Sequence, residues 1–201
     1  MKDISFDLET LGIGPEAMIL SIGAVKFDRV TGELGEEFSR VIDIASPLGG
    51  GTIDASTVVW WMDKPQQVRD AVFGKDVERV PLRQALAEFS EFIGFTDELP
   101  DGEYPDVTLW QRGDKDNQWL TSAYAGMQLQ LPFRYWQVSD QRTLCDPFKP
   151  FLPDQDEGHW HCALYDARYQ AHCLVAAFGR MYSTGAILPP PIELTPPTKI
   201  G

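Results

Sequence analysis

Residues 2 to 9 alternate without a break, with Ile4, Phe6 and Leu8 on one side and Asp3, Ser5, Asp7 and Glu9 on the other. A period of two is that of a β-strand, whose successive side chains point to opposite faces. The chain therefore opens with a half-buried strand that carries two carboxylates on one face. Leu11-Gly12-Ile13-Gly14-Pro15 reads as a turn, and Ile19 to Phe27 is an apolar run suited to a central strand. After a second turn at Thr31-Gly32, Glu36 to Ile42 supplies a third strand. The spacing predicts a three-stranded antiparallel meander.

Helical signals follow. A glycine-rich loop from Pro47 to Thr52 leads to Asp54 or Ser56, either of which can cap a helix carrying Val58 to Met62. Pro65 restarts a helix through Phe73. Pro81 sits where a first-turn proline belongs, Leu82, Leu86, Phe89 and Ile93 recur at helical spacing, and Gly94 marks the stop. Asp97 to Asp106 is an acidic exposed loop, Val107 to Trp110 a short buried strand, and Asp116 to about Met127 a helix. Phe133 to Val138 reads as a further strand and Asp146 to Gly158 as irregular chain. A closing helix runs from about Ala163 to Tyr182, with Ala167, Ala171, Leu174 and Phe178 as its apolar stripe. This order predicts an α/β domain with a mixed five-stranded sheet flanked by helices, over residues 1 to 185. The proline-rich tail from 186 to 201 cannot be helical and is expected to be extended.

At 201 residues and 43% hydrophobic content, one domain can bury a substantial core. The net charge of −13 counts against a broad basic face that coats long duplexes. It leaves room for a protein that grips only a strand end, where bound metal ions are the largest positive charges. Cys145, Cys162 and Cys173 are odd in number and show no CxxC spacing, which suggests neither a disulfide framework nor a structural zinc. A zinc set of His159, His161 and Cys162 is disfavoured because adjacent ligands crowd one another. No window approaches the roughly 18 apolar residues of a spanning helix, and the N-terminus has no apolar signal core. The expected location is the cytoplasm, of a bacterium or a phage-infected host.

Two segments carry chemistry. Asp7-Leu8-Glu9 places two carboxylates on one strand face beside a glycine turn, a donor set that suits a hard cation holding several waters and a phosphate. In a chain with 30 acids, such a triplet is expected about once by chance. His161-Cys162-Ala163-Leu164-Tyr165-Asp166 sets a histidine just before a helix and an aspartate in its first turn, where the helix dipole favours negative charge. The histidine, with an ordinary pKa near neutrality, can take a proton from water. A capping acid with a packing histidine would look the same.

Phe6-Asp7-Leu8-Glu9-Thr10 and the later His161-x-Ala163-x-x-Asp166-Ala167 together resemble the first and last motifs of the DEDDh 3′→5′ exonucleases. Gly113-Asp114-Lys115-Asp116-Asn117 resembles the middle motif, with two departures: Lys115 stands where an aromatic residue is usual, and the loop is one residue short. Asp114 is therefore a rival to Asp116. Leu86 to Ile93 is similar to the family's intervening helix. Trp60-Trp61 with Pro65 to Arg69, Trp110 to Gly113, and Trp136 to Thr143 are similar to phage DexA-like exonucleases and related small exoribonucleases.

The resemblance implies a ribonuclease H-like fold in which Asp7, Glu9, Asp116 and Asp166 hold two Mg2+ or Mn2+ ions over the terminal phosphodiester. It implies His161 as the base, in preference to His159, while His172 falls within the closing helix. Leu11 and Gly12 match the place where the family grips the last nucleotide. Trp61, or its neighbour Trp60, is a candidate for stacking a base, and Arg112 a candidate phosphate contact. The implied substrate is the 3′ end of single-stranded DNA or RNA, released as 5′-nucleoside monophosphates. Relatives are often dimers, so a homodimer is among the assemblies the resemblance allows. The competing reading is a catalytically weak nucleic-acid-binding subunit of a replication or RNA-processing complex.

Overall fold

A computed structural model describes residues 1–46, 50–154 and 161–183. Most of the glycine-rich loop's start, His159 and the proline-rich tail lie outside the described residues. The meander expected at the N-terminus is present as β1 (Asp3–Thr10), β2 (Ile19–Phe27) and β3 (Leu34–Ile42). Two short helices, α1 (Ala55–Met62) and α2 (Gln66–Phe73), lead to β4 (Arg79–Val80) and α3 (Leu82–Phe92). Then follow β5 (Thr108–Gln111), α4 (Lys115–Gly126), β6 (Val138–Asp140), α5 (Gln141–Cys145) and the long α6 (Ala163–Ser183).

Among the described residues the sheet has six strands, not five, in the order β4-β3-β2-β1-β5-β6. β1, β2 and β3 pair antiparallel, whereas β4, β5 and β6 each join in parallel. The extra strand is β4, whose two residues are too few to carry any periodicity. The strand expected at 133–138 begins only at Val138. Before it, Tyr135–Gln137 form a 3-10 turn because the Gln137 side chain accepts the Arg134 N–H at 2.8 Å. Asp140 then caps α5 by accepting the N–H groups of Arg142 and Thr143, so a helix stands where none was foreseen. The stretch read as irregular holds a 3-10 segment at Asp146–Phe151.

One face of the sheet is covered by α3 and α4. Ile4, Phe6 and Leu8 of β1 pack there against Leu86, Phe89, Leu120 and Tyr124. The other face is covered by α6, whose Ala167, Ala171, Leu174 and Phe178 meet Val25, Phe27 and Trp110. β1 is therefore buried on both sides, and its polar face is not the solvated one that alternation suggested. Ser5 is 0% exposed. The reason is the closeness of α6. A Cβ on Gly23 would lie 2.1 Å from the Leu164 backbone nitrogen and 2.2 Å from the Ala163 carbonyl carbon. Only glycine lets the first turn of α6 rest on β2, directly beside Asp7, which is paired with Gly23 across the sheet.

Candidate active site

The close seat of α6 brings Asp166, in its first turn, over the carboxylate face of β1. The Asp166 carboxylate accepts the backbone N–H of His161 at 2.9 Å, holding His161 against the helix start. His161 adopts φ +67°, a left-handed conformation that non-glycine residues rarely hold. One turn further along α6, Gln170 donates from its amide to Asp7 Oδ1 at 2.8 Å.

Asp116 arrives from the opposite side. β1 and β5 pair only through Asp3, Ser5 and the residue between them, and beyond that point the Leu8 N–H is taken by Asp116 Oδ1 at 3.0 Å. Asp116 is 5% exposed. Asp114, its rival, is exposed at the N-terminal cap position of α4 and accepts the Gln118 side-chain amide at 2.8 Å. Asp7, Glu9, Asp116, His161 and Asp166 all line one cavity of about 410 Å³, and Asp114 does not.

Four carboxylates in so small a space repel one another. Burial pushes the pKa of Asp7 well above the usual range, and the charges of Asp116, Glu9 and Asp166 add to the rise. Glu9 is raised likewise by burial and then by Asp166 and Asp116. Asp116 is pushed up to about 7 by burial, partly offset by the Leu8 hydrogen bond. Oxygen donors packed this closely fit hard divalent cations, whose charge would relieve the repulsion. His161 is shifted the other way, downward, by burial and then by the positive charge of Lys64.

The substrate-contact candidates divide. Trp61 is buried, at 2% exposure, and donates its indole N–H to the Thr10 carbonyl at 2.9 Å, so it cannot stack a base. Trp60 is 38% exposed and lies edge-on to the His161 ring with centroids 4.6 Å apart. Adjacent positions on a helix point about 100° apart, and the core took the second tryptophan. Leu11 also turns inward, beside Leu20 and Trp61. Ile13 of that turn is exposed, and its backbone N–H donates to Asp54 Oδ2 at 2.8 Å. A Cβ on Gly12 would sit 2.9 Å from that same carboxylate and 3.1 Å from the Thr52 carbonyl oxygen, so glycine keeps this approach uncrowded. Gly12, Ile13, Trp60 and Trp119, with the hydroxyl-bearing Ser56 and Thr57, wall a second cavity of about 380 Å³ that shares Glu9 with the first.

Arg112 is exposed and lines the first cavity, together with Lys115 and Arg142. Arg142 and Gln170 were not foreseen as site residues. Arg142 is placed by the cap of α5, whose Asp140 also accepts the Gly113 N–H at 2.9 Å and so ties the β5–α4 loop to β6. Gln170 had one signal, a polar residue inside the buried stripe of a helix.

A family model described as the 3′-5′ exoribonuclease Rv2179c-like domain matches residues 2–178. The chain belongs to this family. Over 100 residues it is 29% identical to an exodeoxyribonuclease of Enterobacteria phage T4, a match that covers 46% of the chain and 44% of that protein. The match thus spans under half the length of this curated relative. Among solved structures, the nuclease domain of 3′hExo, described as a DEDDh family member bound to rAMP, aligns at 16% identity and TM-score 0.55 over 91% of the chain and 92% of that domain. S. pombe Pop2p, in a form with Mg2+ and Mn2+ bound, aligns at 14% and 0.58 over 92% and 86%. E. coli exonuclease I with a dA16 oligonucleotide aligns at 15% and 0.56, over 90% of the chain and 43% of that enzyme. The fold is ribonuclease H-like and is shared with these nucleases.

Proposed function

We propose that the protein is a metal-dependent exonuclease that removes 5′-nucleoside monophosphates from the 3′ end of single-stranded nucleic acid. The observation that carries this reading is the convergence of Asp7, Glu9, Asp116, Asp166 and His161 on one cavity, from three separate segments of the chain. The family match over residues 2–178 supports it and favours RNA as the first substrate to test.

In this reading Asp7, Glu9, Asp116 and Asp166 hold two Mg2+ or Mn2+ ions. Such ions, when bound, activate water and stabilise the charge that grows on the attacking and leaving oxygens of a phosphodiester. The protein's own residues do the rest. His161, kept neutral by burial and by Lys64, accepts a proton at an imidazole nitrogen. Gln170 fixes the rotamer of Asp7, and the Leu8 N–H fixes that of Asp116. Arg112, Lys115 and Arg142 bring positive charge to the cavity wall, where a phosphate of the strand is gripped. Trp60 and Ile13 face the terminal base, and contacts of this kind are tolerant of sequence.

The test is nucleotide release from 3′-labelled RNA and DNA strands of matched sequence, single and double stranded, with Mg2+ or Mn2+. The expected result is stepwise release of mononucleotides that stops on chelation. A folded protein that binds the strands and releases nothing with either ion would instead be the catalytically weak binding subunit.

A further inference from the structure

We propose that the proline-rich segment 186–201 docks in an aromatic groove of its own domain. The groove is a cavity of about 550 Å³ between residues 102–108 and the turn before β6, with Tyr104, Arg134 and Trp136 among its walls. The Arg134 guanidinium lies 4.4 Å from the Tyr104 ring centre and 5.1 Å from that of Trp136, so two rings and a cation form one surface. Arg134 also donates to the Gly102 carbonyl at 3.0 Å, and the Gln137 amide donates to the carbonyls of Pro105 and Val107 at 2.6 and 3.2 Å. The two sides of the groove are thereby locked together. Trp136 is nevertheless 60% exposed and its neighbour Tyr135 80%. Apolar rings held open to water in this way mark a contact surface. Thr108, in the groove wall, pairs with Asp3, at the opposite end of β1 from Glu9, so the inference stands apart from the nuclease reading.

The occupant follows from where α6 ends. Its last residue is Ser183, and 18 residues of chain follow. Near that end Tyr182 stacks on Phe178, and Phe178 lies under the guanidinium of Arg29, which is bonded to Asp3. Through Asp3 and Thr108, the end of α6 and the groove share one end of the sheet. Six extended residues, from Ser183 to Pro189, cover about 20 Å. That is enough to pass from β1 across β5 to β6, since neighbouring strands lie about 4.8 Å apart.

The chemistry of the segment matches the groove. In Leu188-Pro189-Pro190-Pro191-Ile192 three rings fix the backbone, which favours polyproline II and leaves little freedom to lose on binding. Segments of this kind dock on exposed aromatic rings. Past the prolines, Glu193 brings a carboxylate for Arg134, and Lys199 brings a cation for the loop that carries Asp97, Glu98, Asp101 and Glu103. Those acids would repel a nucleic-acid strand, which argues against a further strand contact here. Tethered by so few residues, the segment needs only weak affinity to stay bound.

The experiment introduces the photoreactive residue benzoylphenylalanine in place of Ile192 in the full-length protein, irradiates a dilute solution and maps the crosslink by mass spectrometry. The expected product joins position 192 to residues 102–108 or 134–137 of the same chain. Trp136→Ala should lower its yield about tenfold, and so should Pro189→Gly, Pro190→Gly and Pro191→Gly made together. The glycine variant changes nothing in the sheet or helices and so keeps the test decisive should Trp136→Ala unfold. Crosslinks scattered over the surface overturn the proposal, as does a yield that either folded variant leaves unchanged. A product of two linked chains overturns it as well, because the segment would then sit on a second copy.

Discussion

The two faces of β1 are both covered by helices, and by opposite means. On one, Ile4, Phe6 and Leu8 meet the large apolar side chains of α3 and α4. On the other, Ser5, Asp7 and Glu9 lie under α6, which is admitted by Gly23 and by its own alanines. The apolar face gains stability from every contact. The polar face is different: Asp7 and Glu9 are charged groups in a place that disfavours charge, and the Ser5 hydroxyl is buried without a partner. The fold thus rests on one side of a strand and keeps its chemistry on the other, so substitutions on the two faces should have opposite signatures.

The largest effect is expected at Asp7. Asp7→Asn keeps the acceptor for Gln170 and removes the charge, so turnover should fall by roughly a thousandfold or more while the melting temperature stays level or rises. Retained turnover would refute a central place for this carboxylate. Phe89→Ala, on the other face, should cost about 3–5 kcal/mol in denaturant unfolding while the surviving folded molecules keep their turnover. If both variants lose stability and activity in parallel, the division between faces is wrong. Gly23→Val breaks the arrangement that separates them, because α6 must lift to make room, and both quantities should fall together.

The N-terminal meander and the apolar stripes of α3 and α6 were legible because period two and period 3.6 are strong signals over eight residues or more. β4 and β6, with two and three residues, had no period to show. The acids near the ends of the site were legible as local pairs, Asp7 with Glu9 and His161 with Asp166. Separating Asp116 from Asp114 depended on knowing that α4 begins at Lys115, which turns one acid inward and the other to solvent. Trp60 and Trp61 show the limit most clearly. They are equal in sequence, and only the packing of α1 against Leu11 and Leu20 decides which is core.

A smaller effect follows from the raised pKa of Asp116, about 7 against an ordinary carboxylate value near 4. A group whose folded pKa is raised favours the fold fully below its unfolded pKa, and that contribution is lost as pH climbs through the folded value. Metal-stripped protein should therefore lose, between about pH 4 and pH 7, a contribution on the order of a few kcal/mol that Asp116→Asn does not lose. Urea titrations of both proteins across this range measure the difference directly. Parallel stability curves would mean that burial does not raise the Asp116 pKa in the folded protein.

The smallest effects concern the paired tryptophans. Stacking of a base on an aromatic ring contributes about 1–3 kcal/mol, so Trp60→Ala should raise KM by roughly ten- to a hundredfold, with a smaller change in kcat and little change in melting temperature. Trp61→Phe keeps most of the buried volume but leaves the Thr10 carbonyl without its donor. Its cost should appear as about 1 kcal/mol of stability, with KM unchanged. A KM effect at Trp61 equal to that at Trp60 would show that α1 rotates when the strand binds. The wall facing Ile13 would then be assembled by the substrate, and the exposure of Trp60 in the free protein would be a resting state.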